Sequence, residues 1–250
     1  MQRTLDAPVP MPLLKRTLDV IVSGALLILL SPLIILIAAA VKLEGLFARA
    51  NRGPVFYAET RISQGKPFKL YKFRIFKTSA YEPIRARGEM VHTKPLERNP
   101  NNITACGVLL KMFYLDELPQ LWNVLRGDMS LVGPRPWNPI DYENEIARGE
   151  FRKKVIRAGL TGPVQIYKLN PHAHGGEHKL DYDYIQFVKT KKAGWPGLLA
   201  VPWIVFRGQD YRGIIQNQQR GNGWFSAAAV FSERAARCRV TGDGSKGPGL

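Results

Sequence analysis

Residues 20–41 carry no charge, an apolar run of 22 residues that as one helix would be about 33 Å long. A segment of this kind has few places to go, and three arrangements compete for it. A secretory signal would carry basic residues before the run and an A-x-A site after it. Lys15-Arg16 and Ala38/Ala40 supply both, but the apolar region is too long for a signal. A spanning helix fits the length. A re-entrant hairpin fits the interruption, because Ser31-Pro32 divides the run near its middle and proline removes a helical N–H and kinks the chain. Ser31 can satisfy backbone groups freed at such a break, which lipid cannot do. Basic residues flank both ends, Lys15 and Arg16 before, Lys42, Arg49 and Arg52 after, whereas a span normally shows the excess on one side. On these residues alone a kinked span and a hairpin both stand.

The charge balance asks for anionic partners. Lys and Arg number 36 against 20 Asp and Glu, a net charge of +16, which suits nucleic acid, anionic lipid or phosphorylated substrates. The basic residues are scattered, and no zinc-finger spacing or RNA-recognition signature accompanies them. Cys106 and Cys238 are the only cysteines. They form no CxxC pair, which suits a reducing compartment.

Residues 115–136 carry the most chemistry. Leu118, Leu121, Trp122 and Leu125 fall on one apolar helical face, and Gly127 sits where such a helix would end. Asp116 then falls at or beside the helix N-cap, where free N–H groups and the dipole favour anions and would also receive a phosphate. A carboxylate beside a phosphate needs an intervening cation. Glu117 as a ligand of Mg²⁺ would supply it, leaving Asp116 as a nucleophile. Taken alone, Asp-Glu-Leu-Pro is most often just a helix cap. Gly133-Pro134-Arg135-Pro136 closes the segment, with Arg135 biased to extended backbone by the proline after it.

Elsewhere, residues 55–59 and 68–76 read as strands joined by the turn-rich stretch 63–67. Period two places Lys72 and Arg74 on one face of the second strand, and Tyr71, Phe73 and Ile75 on the other. Residues 77–103 read as a polar loop with one short helix. Residues 108–114 read as a short helix, 143–148 as another after Pro139, and 180–185 as part of a third. His172, His174 and His178, with Glu177, have spacing that can bind zinc, but no further ligand cluster supports a metal there and a solvated loop explains them. The aromatic stretch 195–206 is too short to span a bilayer and suits either an interfacial segment or core packing. Residues 232–250 read as a disordered tail.

The string from Leu115 to Pro136 resembles the signature of the bacterial sugar transferases, the monotopic polyprenyl-phosphate phosphoglycosyl transferases. Several other strings agree with it: Lys15-Arg16 followed by Ser31-Pro32, Tyr71-Lys72-Phe73-Arg74, Arg157-Ala158-Gly159-Leu160-Thr161-Gly162, and Leu180-Asp181 with Tyr184. Departures are visible as well. Ile75-Phe76 replace Thr-Met, Lys111 stands where Arg is usual, Ala158 replaces proline, and Pro163-Val164 stand where Trp-Ala is usual. Lys111 keeps the charge of arginine but loses its bidentate grip on phosphate.

The resemblance implies an α+β, mostly helical, membrane-associated monotopic enzyme with an N-terminal re-entrant membrane helix and a small β-hairpin. Residues 1–14 would be a mobile lead-in, 15–44 the re-entrant helix broken at Ser31 and Pro32, and 45–206 a cytoplasmic transferase domain with interfacial helices. Residues 207–250 would form a C-terminal extension ending in the disordered tail. Asp116 and Glu117 would be catalytic and hold Mg²⁺. Lys72, Arg74, Lys111, Arg135 and Arg157 would bind substrate or phosphate, and Lys15 and Arg16 would flank the lipid phosphate. The implied reaction moves a sugar-1-phosphate from a nucleotide diphosphate sugar, UDP-linked, to polyprenyl (undecaprenyl) phosphate. It passes through a covalent aspartyl phosphosugar and releases UMP, at the cytoplasmic face of the bacterial inner membrane, among anionic lipids. The product would begin exopolysaccharide, O-antigen or lipopolysaccharide assembly. Two rivals come from other classes: a non-catalytic membrane-anchored scaffold, expected to lose the Asp-Glu pair, and a basic nucleic-acid-binding protein, which a membrane hairpin argues against. Which sugar is used, and whether the chain forms a homodimer, are not legible.

Overall fold

A computed structural model describes residues 7–89, 91, 93–166 and 176–189. The expectations for the aromatic stretch 195–206, for His172 and His174, and for the C-terminal extension lie outside these residues. The chain divides into two compact units, Met1–Tyr182 and Asp183–Leu250. In the second unit the described residues are 183–189, the end of a helix.

The apolar run is two helices, α1 (Leu13–Leu29) and α2 (Ser31–Phe47), bent by 59° at Leu30. The break is where Ser31-Pro32 puts it. Pro32 occupies the first turn of α2, where its missing N–H costs nothing, and the Ser31 hydroxyl donates to the Ile28 carbonyl at 2.7 Å. Among the described residues no single helix is long and apolar enough to cross a membrane, and α1 and α2 meet that measure only together, as a bent pair. Ile28, Leu29, Ile35 and Leu36 around the bend are all exposed. Ahead of α1 the chain is tied down. Val9, inside the stretch expected to be a mobile lead-in, is buried and donates its N–H to the Val155 carbonyl at 2.7 Å.

The hairpin follows. β1 (Phe56–Ser63) pairs antiparallel with β2 (Lys66–Phe73), with Phe56 opposite Phe73 and Ser63 opposite Lys66. The turn is two residues, Gln64 and Gly65, both at positive φ (51° and 73°), as the tight turns that match strand twist require. The strands therefore run closer to the turn than the composition of residues 63–67 suggests. The stretch read as a polar loop holds two helices, α3 (Thr78–Ala86) and α4 (Thr93–Glu97), and a 3₁₀ turn (Pro100–Asn102).

Then come α5 (Ala105–Met112), a 3₁₀ turn (Leu115–Glu117), α6 (Gln120–Arg126), β3 (Ser130–Val132), α7 (Pro139–Ala147), α8 (Arg152–Val155), β4 (Gly159–Thr161), α9 (Pro163–Ile166) and α10 (Gly176–Lys189). The Thr104 hydroxyl caps α5 by accepting from Gly107 N–H at 2.9 Å, and the Asn138 side chain caps α7 by accepting from Asp141 N–H at 2.7 Å. The chain is thus α+β, mostly helical, with small two-stranded sheets.

One cluster of the core gathers Ile37 and Val41 of α2 with Tyr57, Phe73, Ile75, Phe76, Tyr81 and Leu110; a smaller one joins Leu70, Val124 and Met129. β3 and β4 pair in parallel because glycines let backbone meet backbone. A Cβ on Gly133 would lie 2.6 Å from the Arg157 carbonyl, and one on Gly159 or Gly162 would overlap Gly133 itself. Ala158, standing where the family has proline, uses the N–H that proline lacks: it donates to the Ser63 hydroxyl at 3.1 Å. A buried ionic group ties α8 to α10, with Asp181 accepting from Arg152 at 3.0 Å and Lys153 at 2.6 Å. Both cations lie 5.0 Å from the Trp137 ring centroid. Burial pushes the Lys153 ammonium below its ordinary range, and the Asp181 carboxylate opposes that shift.

Asn123 joins the hairpin to α6. Fully buried, it accepts from Tyr71 N–H at 3.0 Å and donates to the Lys69 carbonyl at 2.7 Å and the Asp128 carboxylate at 3.1 Å. Asn123→Ala strands two part-buried backbone groups and should destabilise the fold by about 1–3 kcal/mol. Denaturant unfolding in detergent checks this, and a loss below about 0.5 kcal/mol, the size of an ordinary surface substitution, would show that the bridge is unimportant.

Candidate active site

The segment that bears Asp116 is reversed by one residue. Tyr114 takes a left-handed backbone (φ 55°, ψ 21°), uncommon for a bulky side chain. It leaves Phe113 and Tyr114 exposed while Asp116, two residues on, is buried. Asp116 sits in the 3₁₀ turn and not at the cap of α6, whose N-cap is Pro119 with no side-chain cap bond. The buried face of α6 also differs from the apolar stripe expected. Gln120, Leu121, Asn123 and Val124 face inward and Trp122 is half exposed, because Asn123 must reach the hairpin backbone. Gly127 ends the helix at φ 92° as its position predicts.

Asp116 lines a small open cleft with Tyr57, Lys72, Thr93, Glu97, Phe73, Ile75 and Phe76. Lys72 is the cation of this cleft. Its ammonium lies 3.6 Å from Glu117 Oε1 and 3.8 Å from Glu59 Oε1. Burial pushes the Asp116 carboxyl up to about 6; Lys72 pulls it down, and Glu117 and Glu97 add to the rise. At neutral pH the group is therefore mostly ionised while poorly solvated, a state suited to nucleophilic or base chemistry. Glu117 is one-third exposed, and Lys72 is its one ion-pair partner among the described residues, so its oxygens can turn towards a cation. Asp116 and Glu117 together offer hard oxygen donors of the type Mg²⁺ takes beside substrate phosphates.

The other expected site residues separate. Lys111 reaches the cleft's rim through Glu97, bonded at 2.8 Å. Sequence reading missed Glu97, which lies in a polar stretch that offers no motif. Arg74 is a correction: it is fully buried, and its guanidinium donates to the carbonyls of Pro54 (2.8 Å), Phe76 (2.9 Å) and Asn51 (2.7 Å). It is unavailable to phosphate because β2 ends at Phe73 and the period-two alternation ends with it. Lys15 and Arg16 also find partners inside the protein. Lys15 donates to the Ser130 hydroxyl and pairs with Asp19 at 3.5 Å, and Arg16 donates to the Val124 and Leu125 carbonyls at 2.7 and 2.6 Å. Arg135 is exposed between two buried prolines and does not line the cleft. Arg157 lies beside Gly127. His178 is exposed, with Nδ1 3.0 Å from Glu150 and Nε2 3.9 Å from Glu145. Arg152 already pairs with both carboxylates, at 3.1 and 3.6 Å, so a positive charge occupies that cluster.

Residues 11–193 match the model of one protein family, described as bacterial sugar transferase. The chain belongs to the bacterial sugar transferase family. It is accordingly a transferase enzyme. An exopolysaccharide production protein, ExoY, of Rhizobium meliloti (strain 1021) is 36% identical over 181 residues, 69% of this chain and 76% of that protein. The UDP-glucose:undecaprenyl-phosphate glucose-1-phosphate transferase of Escherichia coli (strain K12) is 37% identical over 157 residues, 62% of this chain and 31% of its own. The undecaprenyl-phosphate galactose phosphotransferase of Salmonella typhimurium is 36% identical over 179 residues, 68% of this chain and 34% of its own. The transferase thus spans about a third of the length of these last two relatives.

The raised carboxyl gives a direct test. A carboxylate ionising near 6 loses its charge as pH falls through that value, so a turnover that uses the Asp116 carboxylate should show kcat/KM rising with pH around 6. Lys72→Met removes the group that lowers Asp116, and the acid limb should move up by roughly one pH unit. A limb that stays in place would dissociate it from Asp116.

Proposed function

We propose that this transferase moves a sugar-1-phosphate from a UDP-sugar to polyprenyl (undecaprenyl) phosphate, with Asp116 as the nucleophile. The observation that carries the reading is the placement of Asp116: buried in a turn, facing a cleft that also holds Lys72 and Glu97, with Glu117 beside it. The names of the three relatives supply the direction: two are undecaprenyl-phosphate phosphotransferases and one an exopolysaccharide production protein.

In the first step an Asp116 carboxylate oxygen attacks the phosphorus that bears the sugar. The bond from that phosphorus to the bridging oxygen breaks, UMP leaves, and a mixed anhydride of Asp116 and the phosphosugar remains. In the second, a polyprenyl phosphate oxygen attacks the same phosphorus and the Asp116 carboxylate departs. Lys72 steadies the charge carried through both steps, in a site where burial strengthens its field. Lys111 exchanges Glu97 for a substrate phosphate oxygen, and Arg135, pre-set between its prolines, meets the nucleotide. Glu117 and Asp116 would hold Mg²⁺, which would supply charge neutralisation for the diphosphate. The bent pair α1 and α2, exposed and apolar around Leu30, enters and leaves the bilayer on one side at the cytoplasmic face. This seats the cleft near the depth of a lipid phosphate, and the polyprenyl-diphosphate sugar formed there begins a surface glycan.

Asp116→Asn should reduce UMP release from a panel of UDP-sugars with undecaprenyl phosphate by at least about 10³-fold, since an amide does not form the anhydride. The wild-type chain given UDP-sugar without acceptor should gain the phosphosugar mass on the peptide bearing Asp116. Undiminished turnover in the variant would overturn the covalent route. Glu117→Gln should raise the half-saturating Mg²⁺ concentration severalfold, and an unchanged value would make Glu117 structural.

A further inference from the structure

The Asp116 cleft does not account for Arg157. This arginine is half-buried, and Met11 Sδ at 3.7 Å is the one acceptor that faces it among the described residues. A thioether is a weak acceptor, and a guanidinium brings five N–H donors that stay charged in any protein. A second guanidinium stands alongside. From the Cβ position that Gly127 leaves empty, Arg16 Nη2 is 3.3 Å away and Arg157 Nη1 is 3.6 Å away. Burial and the repulsion of Arg16 both push Arg157 below its ordinary range, with Asp19 and Asp128 acting weakly against them. Both carboxylates are committed elsewhere. Asp19 accepts from Leu131 N–H at 3.1 Å and pairs with Lys15, and Asp128 accepts from Asn123 and lies 3.6 Å from Arg126. Among the described residues, Lys15, Arg16, Arg126 and Arg157 have no ion-pair partners other than Asp19 and Asp128. The end of α6 would repel an anion if its carbonyls were bare, but Arg16 covers two of them.

We propose that Arg157 and Arg16, meeting over Gly127, form a second anion site that takes one phosphoryl group, apart from the Asp116 cleft. The two sites stand at opposite ends of α6, whose seven residues span about 10 Å. A phosphate held at Gly127 is thus too far from Asp116 to be the one that reacts. The occupant is a phosphate mono- or diester, either the headgroup of an anionic lipid beside the start of α1 or free phosphate. The site goes beyond the proposed reaction and stands if Asp116 proves not to be the nucleophile.

The test uses the full chain in nanodiscs or detergent, carrying Lys72→Met so that the cleft's own cation is not read. Inorganic phosphate and short-chain phosphatidylglycerol are titrated separately by calorimetry. Arg157→Gln in this background should weaken binding at least tenfold for whichever ligand binds. Asp128→Asn, which keeps an acceptor for Asn123 and removes a negative charge, should tighten it severalfold. A response to phosphatidylglycerol alone identifies a lipid headgroup, and a response to both extends the site to free phosphate. Equal affinity in the Arg157→Gln chain and its parent overturns the proposal. Should Arg157→Gln fail to fold, absence of tightening in Asp128→Asn overturns it equally.

Discussion

Two charged side chains, one near the outer end of each N-terminal helix, hold the backbone of the helices that flank Asp116. Arg16 of α1 donates to the last-turn carbonyls of α6, and Glu44 of α2 accepts from Ala105 N–H at the start of α5 at 2.7 Å. Each supplies what a helix end lacks, donors for orphan carbonyls and an acceptor for an orphan N–H. Asp116 lies in the short connection between α5 and α6. The N-terminal pair is therefore part of the frame of the site, and its removal would leave both helix ends unsatisfied.

The strong positive charge divides into two populations. Arg74, Arg152 and Lys153 are spent on carbonyls and buried carboxylates inside the protein, where arginine's fixed fork of donors serves several backbone groups at once. Lys72, Lys111, Arg135 and Arg157 keep donors free or loosely paired. A motif that contains two cations can thus hold one of each kind, as Lys72 and Arg74 do two residues apart. Net charge alone does not separate them; the end of β2 does.

Much of the frame is legible in the sequence because it rests on local chemistry. The break at Ser31-Pro32, the Gly127 stop and the existence of the hairpin all follow from residues adjacent in the chain. The misreadings come from longer-range demands. Pro67 reads as a loop residue, yet in a two-stranded ribbon it pairs opposite Ile62, with no central ladder to break. Trp122 reads as core, but the need of Asn123 to satisfy the Tyr71 and Lys69 backbone rotates α6 away from the apolar stripe. Asp116 and Lys72 are legible as chemistry through the family resemblance. Glu97 is not, since only the fold brings α4 to the cleft.

The meeting of Gly133, Gly159 and Gly162 bears on how this region can change over generations. Where side chains fill a core, a lost methyl at one position can be offset by a gained one nearby, and sequences drift while the shape persists. Here main chain lies against main chain, and no neighbouring side chain is available to shrink in compensation. These three positions offer no gradual path, so the turns bearing Arg135 and Arg157 are frozen in their course.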